Sequence, residues 1–183
     1  MHFCVYILIP SEGDIEELVA SALHPYDEDL EVAPYKVYLD AGEIEAMRKH
    51  YGVRRSDRQA LVSHMEEWSG SPGGIDSQGL FSIKTYNPQG KWDWYEIGGR
   101  WHGRLPGNII SAKTLLRKQN LRELLPAFLI TSDGFWHEWE IFIVEGWMRW
   151  RTERKTNRAW LEIIKEALND HPDSRVVCVD IHR

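Results

Sequence analysis

A chain of 183 residues, of which 43% are apolar and 27% charged, has the length and composition of a globular protein, so we expect residues 1–183 to form a single domain. No apolar run approaches the roughly 18 residues that span a bilayer. The first residues also lack the basic segment and cleavage site of a signal peptide, which predicts a cytoplasmic protein without a membrane segment. The formal net charge of −6 is concentrated in residues 1–50, which carry 11 acidic and 3 basic residues, so this part is expected to repel nucleic acids.

The first third of the chain alternates extended and helical patterns. The apolar run His2–Ile9 predicts a strand, and Cys4 within it is expected to be a buried free thiol, as is Cys178 near the other end. Two cysteines without a secretion signal predict no disulfide framework, although the thiols would lie close if the terminal strands are neighbours. The elements that follow are a helix at residues 14–23, an acidic loop at 26–31, an extended stretch at 34–39 and a helix from the Asp40/Glu43 capping pattern to Gly52.

The middle of the chain predicts a third helix and then a β-hairpin. In chain order, these elements are a helix opened by Ser56 with Leu61, Met65 and Trp68 on one face, a Gly/Ser/Pro-rich loop at 69–79, a strand at 80–86, a turn at 87–90 and a strand at 92–97. A four-residue connection between two strands is typical of a hairpin.

The last part of the chain completes a mixed pattern of strands and helices. Its elements are a loop followed by a short helix near residues 121–125, strands at 128–131 and 136–144, a helix at about 151–169 and a strand at 176–181. The strands outnumber the places where a βαβ crossover fits, so the sequence predicts an α+β fold, with helices packed on an antiparallel or mixed sheet. The strand–helix start and the helix–strand end suit a ferredoxin-like core with insertions.

Residues 91–104, KWDWYEIGGRWHGR, form the most informative segment. Period-two alternation divides the side chains of its strand into two groups: Trp92, Trp94 and Glu96 on one face, and Asp93, Tyr95 and Ile97 on the other. An ordinary half-solvated strand alternates apolar with polar residues, whereas here both faces carry aromatic side chains. Either the strand is buried on both sides, or one face lines a cavity or a binding surface.

Gly98 and Gly99 then predict a bend, because adjacent glycines allow positive φ and close backbone approach. If alternation resumes after the bend, Arg100, His102 and Arg104 share one side and make a cationic stripe. The stripe has two interpretations. It is an ion-pair network that fixes the bend, or it is an anion site or acid–base centre with His102 as the proton carrier.

This segment resembles the KWDWYxIGGRW signature of a family of uncharacterised proteins from bacteria and bacteriophages. Three further stretches fit the family pattern: PYDE at residues 25–28, GFWHE at 134–138 and VDIH at 179–182. Within 133–149 the chain departs from it, with EIFIVEGWM where a Gly/Met-Gly-Trp-rich stretch is expected. The resemblance implies a shared fold and a shared site, but no particular reaction.

The first functional hypothesis is a binding or accessory protein that holds a small ligand, a peptide or a protein partner. Its surface is residues 92–104, where no recognisable catalytic set occurs. The candidate contact residues are all aromatic or cationic: Trp92, Trp94, Arg100, Trp101 and Arg104. Aromatic and arginine side chains dominate the energetics of binding hot spots.

The second hypothesis is a hydrolase or transferase with acid–base groups. Its candidate catalytic residues are Asp93, Glu96, His102 and His137. This function requires the four side chains to converge on one pocket. The sequence contains no HExxH or paired CxxC spacing, so it predicts neither a metal ion nor another cofactor.

The third hypothesis is a nucleic-acid accessory protein. From Arg149 to Arg158 the sequence RWRTERKTNR carries five bases and one acid, with Trp147 and Trp150 beside it. Basic residues interleaved with aromatics are typical of single-strand binders. The solvated start of a helix is the preferred interpretation, because the chain as a whole is negatively charged.

Overall fold

The computed structural model describes residues 1–54, 56–146 and 149–183. The strands in these ranges are β1 (His2–Ile9), β2 (Glu31–Tyr38), β3 (Gly73–Ile75), β4 (Leu80–Tyr86), β5 (Trp94–Ile97), β6 (Ile109–Ser111), β7 (Phe128–Ile130), β8 (Trp136–Glu138), β9 (Glu140–Gly146), β10 (Arg149–Arg154) and β11 (Arg175–His182). The α-helices are α1 (Ile15–Leu23), α2 (Ala41–Tyr51), α3 (Arg58–Val62), α4 (Met65–Ser69), α5 (Ala112–Leu116) and α6 (Asn157–Asp170). Among them, no helix has both the length and the apolar character that crossing a membrane requires.

Two compact units divide the chain. The first consists of Met1–Leu30, Asn87–Phe142 and Thr152–Arg183, and the second of Glu31–Tyr86 and Ile143–Arg151. The single domain expected for residues 1–183 stays a prediction.

A mixed sheet organises the first unit. Its strands lie in the order β5-β11-β1-β7-β8, and β6 also pairs with β11. The long central pair β1–β11 is antiparallel and runs in register from His2↔His182 to Ile9↔Arg175, whereas β1 and β7 are parallel. Helices packed on a mixed sheet confirm the predicted α+β class.

Each face of this sheet is covered by a different helix. On one face, Val5 and Ile7 of β1 pack with Val19 of α1. On the other face, Tyr6 and Leu8 pack with Trp160 of α6. Because β1 is covered on both sides, it reads as a continuous apolar run instead of an alternating one. The ferredoxin-like core is not confirmed, since α1 and α6 lie on opposite faces of the sheet.

The second unit has a small sheet and core of its own. The strand β4 pairs antiparallel with both β2 and β3. The helix α2 begins with the predicted capping box, in which Asp40 and Glu43 exchange backbone and side-chain hydrogen bonds, and it ends at Gly52 with φ 66°. The buried core side chains of this unit are Met47, Leu61, Met65 and Leu80.

The predicted hairpin of residues 80–97 does not form. The first strand, Leu80–Tyr86, is where the sequence places it, but it pairs with β2 and β3. The second strand begins at Trp94 and pairs with β11, from Trp94↔His182 to Ile97↔Val179. The turn is present, with the Gly90 N–H donated to the Asn87 carbonyl, but it connects strands of different sheets.

Two predicted helices also differ. The helix assigned to start at Ser56 is two short helices, α3 and α4, and α3 is capped by the side chain of Asp57. The helix expected at about residues 151–169 is α6, which begins at Asn157 behind a Thr156 cap. Arg149, Arg151 and Arg154 lie in the strand β10 instead. Most of the basic segment is therefore not the start of a helix, contrary to the preferred interpretation.

Trp92 and Trp94 do not share a face as the alternation predicts. Trp92 precedes β5, is only 9% exposed and packs edge-to-face against Tyr95, with ring centroids 5.2 Å apart. Its indole N–H is donated to the carbonyl of Leu23 over 2.9 Å. Trp94 is 45% exposed. Trp92 is therefore a core residue, and Trp94 is the tryptophan of this pair that a ligand can reach.

We expect the two tryptophans to differ sharply in their contribution to stability. Trp92→Ala leaves a large cavity and an unpaired carbonyl, and should lower the free energy of unfolding by about 3–5 kcal/mol. Trp94→Ala, the matched control, should change it by less than about 1 kcal/mol. Urea unfolding of both variants measures this difference, and equal losses would contradict the assignment of Trp92 to the core.

Candidate functional site

Strand pairing brings polar side chains from three distant parts of the chain to one face of the sheet. In register, His2 of β1 lies opposite His182 of β11, which lies opposite Trp94 of β5. This is the face that α6 covers, because His2 and His182 follow the same alternation as Cys4 and Cys178. Asp180 joins this row from β11, and Asp93 reaches it from just before β5. We call His2, Asp93, Trp94, Asp180 and His182 the histidine face.

The first carboxylate–imidazole pair of the histidine face is built on a buried acid. The Asp180 side chain is 1% exposed, and its Oδ1 lies 3.1 Å from Nδ1 of His2. Its other oxygen accepts the backbone N–H of Arg100 over 3.1 Å. Buried carboxylates require hydrogen-bond partners, and here both oxygens have one. Asp180 therefore holds the His2 ring in place.

The second carboxylate–imidazole pair lies nearer to solvent. Nδ1 of His182 is 2.8 Å and 3.0 Å from the two carboxylate oxygens of Asp93. The Asp93 backbone N–H is also donated to the carbonyl of His182. Both partners are partly exposed, with side-chain exposures of 41% for His182 and 36% for Asp93. The pair is thus anchored through backbone and side chain and remains open to a ligand.

The two pairs are neighbours. The rings of His2 and His182 lie 5.2 Å apart between centroids, at an angle of 66°. The ring of Trp94 lies 5.7 Å from that of His2. In both histidines Nδ1 meets a carboxylate, so a neutral ring that donates this hydrogen bond carries its proton on Nδ1 and presents Nε2 as an acceptor. Two carboxylate-anchored imidazoles and one exposed aromatic ring therefore lie side by side.

Gly99 allows the close approach that completes the Asp180 site. Its φ is +44°, and a Cβ atom placed on it would lie 2.5 Å from Cβ and 2.7 Å from Oδ2 of Asp180. After it the chain does not resume the strand alternation, because Gly99–Trp101 forms a 3₁₀ turn. The predicted cationic stripe of Arg100, His102 and Arg104 is thus wrong.

The residues of the predicted stripe separate. The Arg100 side chain is exposed, and its role on the histidine face comes from its backbone N–H. His102 is exposed beyond the bend, with Nδ1 3.0 Å from the Asn108 side-chain amide. Arg104 and Trp101 instead line a cavity of about 200 Å³ beside His2. Of the three stripe residues, Arg104 alone is partly buried.

The predicted catalytic residues do not converge. Asp93 belongs to the histidine face, and Glu96 lies on the same side, in register with Asp180 but exposed. His137 is on β8, four strands from β5, which at about 4.8 Å per strand is about 19 Å. It lines a separate cavity of about 360 Å³ with Lys91, Glu138 and Lys155. Burial lowers the pKa of His137, because desolvation disfavours the imidazolium.

Sequence reasoning missed His2, Asp180 and His182. Asp180 and His182 are two positions apart, which puts them on one face once the last strand extends past its predicted end at residue 181, and both occur in the VDIH stretch of the family resemblance. His2 gives no local signal, because its role depends on pairing between strands from opposite ends of the chain. In the part of the chain that the structure describes, no group of three or more His, Cys, Asp or Glu side chains is placed to hold a metal ion.

Two thiols lie beneath the histidine face. Cys4 and Cys178 are buried and free, as predicted, with their sulfur atoms 3.7 Å apart. Their hydrogen bond and their burial raise the pKa of Cys4 well above its usual range. The same hydrogen bond lowers the pKa of Cys178, so Cys4 is the donor and Cys178 the acceptor of this contact.

The basic segment of residues 149–158 is partly engaged within the protein. Arg154 donates two hydrogen bonds to a carboxylate oxygen of Glu140, and its guanidinium lies 5.1 Å from the centre of the Trp139 ring. Lys155 donates to the carbonyl of Glu138. Trp147, which the sequence associates with this segment, lies outside the described residues. The structure thus adds nothing that favours a nucleic-acid partner.

Comparison with known proteins gives no match: neither a protein-family model, nor a curated protein, nor a solved structure resembles this chain. The similarity to uncharacterised bacterial and bacteriophage proteins therefore stays a prediction.

We expect Gly99→Ala to be more damaging than Gly103→Ala, because a Cβ at Gly99 meets Asp180 whereas none of the described atoms lies within 4 Å of one at Gly103. Both glycines have positive φ, so backbone strain is common to the two variants. Overpacking should make Gly99→Ala about 1–3 kcal/mol less stable than Gly103→Ala in urea unfolding. The imidazole NMR signals of His2 should move in the first variant alone, and equal behaviour of the two would contradict the packing of Gly99 on Asp180.

The lowered pKa of His137 predicts a pH-dependent stability. Below pH 6.5, the ordinary pKa of histidine, the unfolded chain binds a proton at His137 that the folded protein resists. The contribution of His137 to the free energy of unfolding is therefore complete above pH 6.5 and falls as the pH decreases through this value. His137→Gln should lose less stability than the wild type between about pH 7.5 and about pH 5.5, measured by urea unfolding. His24→Gln, at an exposed position, is the control and should follow the wild type. Parallel behaviour of all three proteins would contradict the effect.

Proposed function

We propose that this protein is an acid–base enzyme, a hydrolase or transferase, in which His2 and His182 exchange protons with a ligand held against Trp94. The observation that supports it is the pair of carboxylate-anchored imidazoles whose ring centroids are 5.2 Å apart. A carboxylate on Nδ1 sets the tautomer and orientation of a catalytic histidine, as it does in hydrolytic triads. General acid–base groups of this kind contribute about 10²–10⁴-fold each to a rate.

Two imidazoles allow both proton transfers of a displacement reaction. One histidine, as the neutral ring, takes the proton of a water or hydroxyl nucleophile at Nε2 as it attacks. The other, as the imidazolium, gives its Nε2 proton to the leaving group as that bond breaks. The products then carry the transferred group on the nucleophile, and the two histidines have exchanged protonation states. The chemistry needs no thiolate, which fits the buried and protonated Cys4.

A second candidate function is binding without catalysis, as a ligand-binding or accessory protein. It is favoured by the 45% exposure of Trp94 beside His2, because an exposed tryptophan next to polar groups is typical of a binding hot spot. Both candidates use the histidine face, but only the acid–base enzyme requires the Nε2 atoms of His2 and His182. In a binding protein the imidazoles contribute shape and hydrogen bonds and no turnover.

The test separates the two candidates by deleting Nε2 while keeping the bond to the carboxylate. Asparagine places an N–H near the position of Nδ1, so His2→Asn and His182→Asn should retain their contacts with Asp180 and Asp93. With chromogenic carboxyl, phosphoryl and glycosyl esters, we expect each variant to lose turnover about 10²–10⁴-fold without a change in melting temperature. His24→Asn, exposed at the end of α1, the helix that covers the opposite face of the sheet, should keep the wild-type rate.

Three outcomes distinguish the candidates. Loss of turnover in both asparagine variants, with the fold intact, supports the acid–base enzyme. Wild-type turnover in both variants contradicts it. If no ester is hydrolysed and a ligand from a metabolite panel binds the wild type but not Trp94→Ala, the protein is a binding protein.

A further inference from the structure

The cavity beside His2 combines apolar walls with one cationic side chain. Its volume is about 200 Å³, and its lining includes His2, Cys4, Trp101, Arg104, Leu125 and Trp139. Pockets that enclose a whole drug-sized ligand usually measure about 300–1,000 Å³. This cavity therefore has the size to take one chemical group of a larger molecule.

Arg104 brings an uncompensated charge to this cavity. One of its terminal nitrogens donates to the backbone carbonyls of Glu123 and Leu125, over 3.3 Å and 2.8 Å. Its Nε is buried and forms no hydrogen bond with any described residue, and the hydroxyl of Tyr6, which interacts electrostatically with Arg104, is likewise without a hydrogen bond. The guanidinium is thus held by two neutral carbonyls, and no carboxylate among the described residues pairs with it.

Trp101 adds a second unused donor. Its indole Nε1 is buried and forms no hydrogen bond with any described residue. An indole N–H can only donate, as can every N–H of a guanidinium. The guanidinium carbon of Arg104 lies 5.6 Å from the centre of the Trp101 ring, so the two donors belong to one cluster. Leaving such buried donors unpaired costs about 1–3 kcal/mol each, and a bound acceptor removes that cost.

We infer that this cavity binds the anionic group, a phosphate or a carboxylate, of a small acidic molecule. Oxyanions accept charge-assisted hydrogen bonds from guanidinium and indole N–H groups, and the negative charge compensates Arg104. Because His2 lines the same cavity, the remainder of the molecule extends onto the histidine face, toward Trp94. The identification of the acidic molecule as a substrate rests on the proposed function, whereas the anion site itself does not.

The anion site is tested with inorganic phosphate and with acetate, each titrated into the full chain at constant ionic strength with chloride as the balancing anion. We expect saturable shifts of the Trp101 indole N–H and Arg104 Nε–H signals in NMR spectra. Arg104→Gln and Trp101→Phe should weaken binding roughly tenfold or more, since each removes a donor to a charged group. Arg122→Gln, at an exposed position of the neighbouring turn, is the matched control and should bind like the wild type.

Each outcome decides the inference. Saturation by phosphate alone or by acetate alone supports it and identifies the anion class. It is overturned if neither anion gives a saturable shift, or if Arg104→Gln binds with wild-type affinity, since the anion then lies elsewhere. If Arg104→Gln does not fold, Arg104→Lys is used in its place, because it keeps the charge and loses the Nε–H. Its NMR titration is then compared with that of the wild type. Phosphate binding that persists in His182→Asn, whose side chain does not line the cavity, separates failure of the proposed enzyme from failure of the anion site, whatever the turnover of that variant.

Discussion

The antiparallel pairing of β1 with β11 is the constraint on which the rest of the first unit depends. Its register, from His2↔His182 to Ile9↔Arg175, assigns every side chain of both strands to a face. A slip of β11 by one residue against β1 would turn the side chains of β11 to the opposite faces and would move His182 to the α1 side, away from His2. Apolar burial on both faces opposes that slip, since Val5 and Tyr6 fill different cores. The polar end of the sheet is therefore positioned by the apolar packing of its centre.

Local patterns predicted the elements well and their partners poorly. The capping box of Asp40 and Glu43 and the strand Leu80–Tyr86 are visible in the sequence because each depends on neighbouring residues. The hairpin prediction was wrong because a four-residue turn indicates that the chain reverses direction, but it does not indicate which strand each flanking strand pairs with. Pairing of Trp94–Ile97 with β11 is decided by residues more than 80 positions away. The basic residues of β10 were read as a helix for the same reason, since their strand partner is β9.

The candidate site was predictable only for those of its residues that lie in one continuous segment of the sequence. Asp93 and Trp94 were identified from their own segment, and both belong to the histidine face. His2 and His182 escaped, because neither is informative until the strands that carry them are paired. The Gly98–Gly99 signal was read correctly as a bend, but its purpose lies in Asp180, which the bend approaches closely. An alternation pattern cannot continue through such a turn, and this moved Arg104 from an exposed stripe to the wall of a cavity.

The histidine face joins residues whose separation along the chain is close to its whole length: His2 and Asp180 are 178 positions apart. Contacts of such long range cost the most loop-closure entropy and tend to form late in folding. During synthesis, β1 leaves the ribosome well before β11, so one edge of β1 stays unpaired until β11 has been made. The histidine face would therefore be completed only in the last step of assembly. A chain that ends before β11 contains neither Asp180 nor His182 and so lacks both carboxylate–imidazole pairs.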